Sequence, residues 1–112
     1  MKKYNQGDIV LLPYPYTDLS NTKQRPVVII SKDTINKHNF IVAKITSVIR
    51  NDQFSFPIKP TDIDTKLRHR SEVRTNEVFT VHKSLTTKKF TSFKKVALKQ
   101  LIYKIKDNIS VD

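Results

Sequence analysis

The apolar residues of this chain come as short blocks at residues 9–12, 27–30 and 40–49, followed by an alternating set at Phe54, Phe56 and Ile58. Unbroken runs of this length, rich in β-branched residues, suit strands buried on both faces, whereas alternation suits a half-buried strand. Further short strands are expected at 71–74 and 78–81, on either side of Asn76-Glu77. Pro13 and Pro15 are expected to end the first strand, because proline has no backbone donor and restricts the residue before it. Residues 14–24 then read as a loop, with turn-formers Asp18, Ser20 and Asn21.

Only the tail changes period. Phe93, Val96, Ala97, Leu101, Ile105 and Ile109 recur at helical spacing with lysines mostly between them, and Ser92 is a candidate N-cap. One helix from 93 to about 108 is therefore expected to pack on the preceding strands. The fold class is mainly β with α, an antiparallel barrel or strongly curled sheet capped by a C-terminal helix. With no linker or repeat, residues 1–112 read as a single domain.

Lys and Arg number 21 against 10 Asp and Glu, a formal charge of +11 that attracts polyanions. Charge alone does not choose between nucleic acid, an anionic surface and an acidic protein, and a well-solvated lysine-rich surface fits equally. The absence of cysteine excludes disulfides, thiolate metal sites and cysteine nucleophiles. A single glycine argues against a phosphate-cradling glycine loop. The basic start lacks an apolar leader segment and no run is long enough to span a bilayer, so a soluble, cytoplasmic protein without membrane association is expected.

His38, His69 and His82 lie far apart in sequence, and no metal-spaced cluster accompanies them. No nucleophile elbow or Walker loop is present, so neither metal nor cofactor is expected. Arg25, stiffened by Pro26 at the mouth of a strand, has the geometry to give two hydrogen bonds to a phosphate. Its position alone fits an ordinary surface arginine better. Thr46 places a hydroxyl inside an apolar strand, with Ser47 on the opposite face, and threonine is also common in strands. Tyr14 and Tyr16 offer rings for stacking bases, while Lys23, Arg68, Arg70 and Arg74 are candidates for lining a backbone groove. His69, between two arginines, reads either as a proton carrier or as part of a solvated basic loop.

Gly7-Asp8-Ile9-Val10, the segment from Pro13 to Ser20, Lys23-Gln24-Arg25-Pro26 with the strand after it, and Ile41 to Ser47 occur in an order that resembles the MazF/PemK family. Ser71-Glu72-Val73-Arg74 and Phe79-Thr80-Val81-His82 continue the resemblance. These are toxins of type II toxin–antitoxin systems. The resemblance implies a small SH3-like barrel of the CcdB/PemK type, a homodimer, and a metal-independent endoribonuclease that cuts single-stranded RNA, including mRNA, at a short sequence. The ribose 2′-hydroxyl would attack the adjacent phosphate, leaving a 2′,3′-cyclic phosphate and a 5′-hydroxyl. It also implies that Arg25 and Thr46 are catalytic. Tyr14, Tyr16, Thr17, Asp18, Ser20, Lys23 and Gln24, with Ser47, Arg68, His69, Arg70 and Arg74, would then bind RNA. A cognate acidic antitoxin is the implied partner. The alternatives are a non-catalytic nucleic-acid-binding barrel and a gyrase-poisoning toxin of the same fold. The loop 20–23 lacks the glycine that many members have, and Phe79 stands where some carry arginine.

Overall fold

A computed structural model describes residues 3–14 and 23–112, without the side chains of Tyr14 and Lys23. Within it, β1 (Asp8–Tyr14), β2 (Lys23–Ile29), β3 (Asn39–Thr46), β4 (Ser55–Pro57), β5 (Glu72–His82) and β6 (Lys88–Ser92) form one sheet. Their order across it is β4-β5-β3-β2-β1-β6, every pairing is antiparallel, and the sheet curls into a half-barrel. One helix, α1 (Lys95–Asp107), follows. No helix among the described residues is long and apolar enough to cross a membrane.

The unbroken apolar runs have a direct structural cause. Successive strand residues point to opposite faces, and here both faces are covered. Ile9, Val28, Ala43, Ile45 and Val73 join Ala97, Leu101 and Ile105 of α1 in one cluster. Val10, Leu12, Val27, Ile29, Phe40, Val42 and Val81 form a second cluster on the other face. Ala97, Leu101 and Ile105 lie one helical turn apart and are all buried, as packing on the sheet requires. Val96 and Ile109 of the same periodic set are exposed.

Several expectations are corrected. Neither Pro13 nor Pro26 bounds a strand: β1 runs on to Tyr14, and β2 begins at Lys23, so Arg25 lies inside a strand facing Leu12. The expected strands at 71–74 and 78–81 are the single β5. Its register against β3 shifts so that residues 74–77 face the lone Lys44, and that bulge bends the strand without ending it. The third strand ends at Thr46 rather than 49. Strand β6 was not expected, because Lys88, Lys89 and Phe90 are exposed on the sheet edge and carry no apolar alternation. Ser92 does not cap the helix. It ends β6, where its hydroxyl donates to Asp8 at 2.5 Å, and Lys94 is the N-cap residue.

Candidate active site

Arg25 lies on β2 and Thr46 on the neighbouring strand β3. Strands β2 and β3 pair Ile29 with Val42, Val28 with Ala43 and Val27 with Lys44, and the pairing stops there. The next residue of β2 is Pro26, which has no N–H to give to the ladder. Carried on past that break, the register of the paired residues would set Arg25 level with Thr46. Directly opposed residues of an antiparallel pair share a face. Arg25 and Thr46 therefore lie on the face of Val27, Val42 and the second apolar cluster, at its polar end. Both are half-buried.

The Thr46 hydroxyl accepts from the backbone N–H of Val48 at 3.0 Å. A hydroxyl that accepts one bond can still donate its hydrogen, here to an anion reaching this end of the sheet. Lys44 lies on the same face, alternating with Thr46, and its ammonium is 3.5 Å from Glu77.

Next to Thr46 in the sheet stands Glu72 of β5. Its carboxylate is buried and fully used: Ser55 Oγ donates to it at 2.6 Å and Arg74 Nη1 at 2.6 Å. The backbone N–H groups of Arg50 and Asn51 donate to its other oxygen at 3.2 and 3.4 Å. Arg74 also grips both carboxylate oxygens of Asp52, at 2.9 and 3.0 Å, and its Nε lies 3.5 Å from Glu77. Burial would push the Glu72 carboxyl up, but the hydrogen bonds from Ser55, Arg74, Asn51 and Arg50 together hold it below the usual range. Arg74, above all by donating to Asp52, holds that carboxyl down at about 2. The same bond holds the guanidinium proton more firmly than usual. This network ties the turn after Thr46 to β4 and β5.

The expected RNA-binding residues divide accordingly. Arg74 does not line an open groove, because it is buried with its guanidinium committed to Asp52 and Glu72. Arg68, His69 and Arg70 are exposed on the connection leading to Glu72, which places them at the Thr46 end of the sheet. Ser47 is exposed just beyond β3. Gln24 is exposed and its amide oxygen accepts from Thr87 Oγ1 at 3.2 Å. Tyr16, Thr17, Asp18 and Ser20 lie outside the described residues, as do the side chains of Tyr14 and Lys23. Among the described residues no group of three His, Cys, Asp or Glu is placed to hold a metal ion. Sequence reasoning passed over Lys44, Asp52, Glu72 and Glu77. A usable signal was present for one pair: Glu72 and Arg74 are two apart in a strand, hence on one face, and oppositely charged.

The fold is similar to that of several solved toxins. An endoribonuclease from a mycobacterial species, solved in complex with its cognate antitoxin, is 12% identical with a TM-score of 0.77, over 98% of this chain and 100% of that one. A MazE–MazF complex from Deinococcus radiodurans is 13% identical with a TM-score of 0.78, over 97% and 98%. The toxin MazF-mt6 of Mycobacterium tuberculosis is 20% identical with a TM-score of 0.73, over 94% and 98%. At these identities the likeness is one of fold. No curated protein sequence matches significantly. The sequence pattern of the PemK-like, MazF-like toxins of type II toxin–antitoxin systems, however, matches residues 5–109. With nearly the whole chain inside that match and the half-barrel to accompany it, the protein belongs to the PemK/MazF toxin family.

Proposed function

We propose that this chain is a ribonuclease toxin that cuts single-stranded RNA at a short sequence, with no metal ion, by attack of the ribose 2′-hydroxyl on the neighbouring phosphate. What supports the reading is that Arg25 of β2 and Thr46 of the neighbouring β3 fall on one face of the sheet by strand alternation, at the end where β2 and β3 cease to pair.

In this chemistry the nucleophile belongs to the substrate, so the protein's work is alignment and charge stabilisation. Arg25 donates to the non-bridging oxygens as negative charge builds on the phosphorane. The Thr46 hydroxyl donates a further hydrogen bond to the same phosphate and fixes its position. The 2′-oxygen forms a new bond to phosphorus, and the bond to the 5′-oxygen breaks. The 2′-hydroxyl loses its proton and the leaving oxygen gains one, giving a 2′,3′-cyclic phosphate and a 5′-hydroxyl. His69, with Arg68 and Arg70 beside it, is a candidate among the described residues to assist that proton transfer. The toxin acts in the cytoplasm as a homodimer and is restrained by an acidic antitoxin, which a charge of +11 helps to attract.

The test is end-mapping of a long single-stranded RNA incubated with the protein in chelator. Discrete cuts with cyclic-phosphate ends are expected, and Arg25→Ala should slow them by about 100-fold or more, the usual cost of losing a transition-state donor. Salt-sensitive binding without cleavage would leave only a nucleic-acid-binding barrel. Cutting by Arg25→Ala at the parental rate would remove Arg25 from the mechanism.

A further inference from the structure

Along one face β3 presents Phe40, Val42, Lys44 and Thr46, so a lysine interrupts an otherwise apolar row. Lys44 pairs with Val27, a member of the second apolar cluster, which puts it on that face of the sheet. It stands two residues from Thr46 in its own strand, and its partner Val27 stands two residues from Arg25 in β2. Arg25 itself pairs with Leu12, another member of that cluster. The three polar side chains therefore share one face. Residues two apart in a strand lie about 6.7 Å from each other, and diagonal neighbours across a pair about 7–8 Å, within reach of long side chains. The Lys44 side chain is 28% exposed, open enough for a ligand to meet it.

Charge explains what a cation is needed for there. In the adjoining network three carboxylates, Asp52, Glu72 and Glu77, are set against two cations, Arg74 and Lys44. Glu77 bridges the two cations, with one oxygen 3.5 Å from the Lys44 ammonium and the other 3.5 Å from Arg74 Nε. An ion pair that loose, between partly exposed groups, adds little to stability. Without Lys44 the network's excess negative charge would rise from one to two. That excess would stand beside the hydroxyl assigned to the scissile phosphate and repel it. A lysine ammonium is a compact point charge suited to offset it. We propose that the Lys44 ammonium contacts the scissile phosphate together with Arg25 and Thr46, and stabilises the charge that builds on its non-bridging oxygens. The proposal rests on the reading of Arg25 and Thr46 as phosphate contacts. It adds a third catalytic residue, on the strand that carries Thr46.

Two measurements test it. In otherwise unaltered protein, Lys44→Gln should slow cutting of a long single-stranded RNA by about 100-fold, the cost of losing one transition-state donor. Lys44→Arg, which keeps the positive charge, should cut within about 10-fold of the parent. Glu77→Gln breaks the same ion pair but leaves the ammonium in place, and should cut at close to the parental rate. In protein silenced by Thr46→Ala, binding of a fluorescent single-stranded oligoribonucleotide is then compared with and without Lys44→Gln. Loss of one phosphate contact should lower the salt slope of log Kd by about 0.7. An unchanged slope overturns the contact, whatever the cutting rate. A parental cutting rate with a lowered slope puts the contact at another phosphate and overturns the catalytic role. Equal slowing by Lys44→Gln and Glu77→Gln also overturns it, because the ion pair and not the cation would then be what matters. If the parent cuts no RNA but the slope falls, Lys44 stands as a phosphate contact and the cleavage reading falls. If the parent cuts and Lys44→Gln matches it in both measurements, the reverse holds.

Discussion

At the scale of single residues, the least expected finding is what Arg74 does. The sequence offers it as one more basic side chain for a polyanion. Its fold partners, the exposed Asp52 and the buried Glu72, instead make it the centre of an ionic network. Asp52 lies 22 residues away, beyond the reach of local pattern reading. The network makes a pH prediction. Asp52 is held at about 2 against an ordinary 3.8, so protonation favours the unfolded chain. Its contribution to stability is fully present above about pH 4 and is lost as the pH falls towards 2. Thermal unfolding of Asp52→Asn across that range should show lower stability than the parent at neutral pH and a shallower decline into acid. Glu72, also lowered, adds to the parental slope in the same direction. Arg25 and Thr46 were legible only through the resemblance, because neither residue type is unusual in its local context. What strand alternation adds is that both side chains fall on the same face of the sheet.

At the scale of elements, the apolar runs told most of the story. Blocks 9–12 and 27–30 are unbroken because the sheet buries both faces, and each is found in a strand except Ile30, which lies just past the end of β2. The tail helix was equally legible from its period. Two features were not. The β5 bulge arises from pairing with β3 rather than from any local signal, and β6 is held by β1 although its own residues are largely exposed. The junction before β1 depends on Gly7, at φ +91°, a region that side chains other than glycine rarely adopt. Its N–H donates to Ile29 O at 2.7 Å and its carbonyl accepts from Phe93 at 2.9 Å, so the backbone cannot simply turn elsewhere. A Cβ there would meet Leu98 Cδ2 at 3.1 Å. Gly7→Ala should cost about 1–3 kcal/mol, mainly through the backbone conformation, read as a lowered urea midpoint with unchanged slope. Leu101→Ala, at a fully buried helix position, should cost about 2–5 kcal/mol in the same assay.

At the scale of the whole molecule, charge and fold answer different questions. The charge of +11 says that a polyanion is welcome and says nothing of which one. The half-barrel survives at 12–20% identity to its solved relatives, so the fold depends on apolar patterning more than on particular side chains. If Arg25, Arg68 and Arg70 each meet a phosphate, single-strand counterion release predicts that RNA affinity falls about 20-fold between roughly 50 and 200 mM salt. Titration of an uncleaved oligoribonucleotide with Thr46→Ala protein measures this, and a flat salt response would rule out those contacts.

The two apolar clusters lie on opposite faces of the sheet, and neither includes Thr46. A threonine codon becomes an alanine codon by one base change, and that change removes a hydroxyl while leaving every member of both clusters in place. On the proposed reading, such an allele encodes a harmless protein that still folds and still occupies the antidote. Loss of the weapon and loss of the fold are then separate mutational events. A population can accumulate disarmed copies that act as decoys, freeing the lethal form from restraint wherever the two are expressed together.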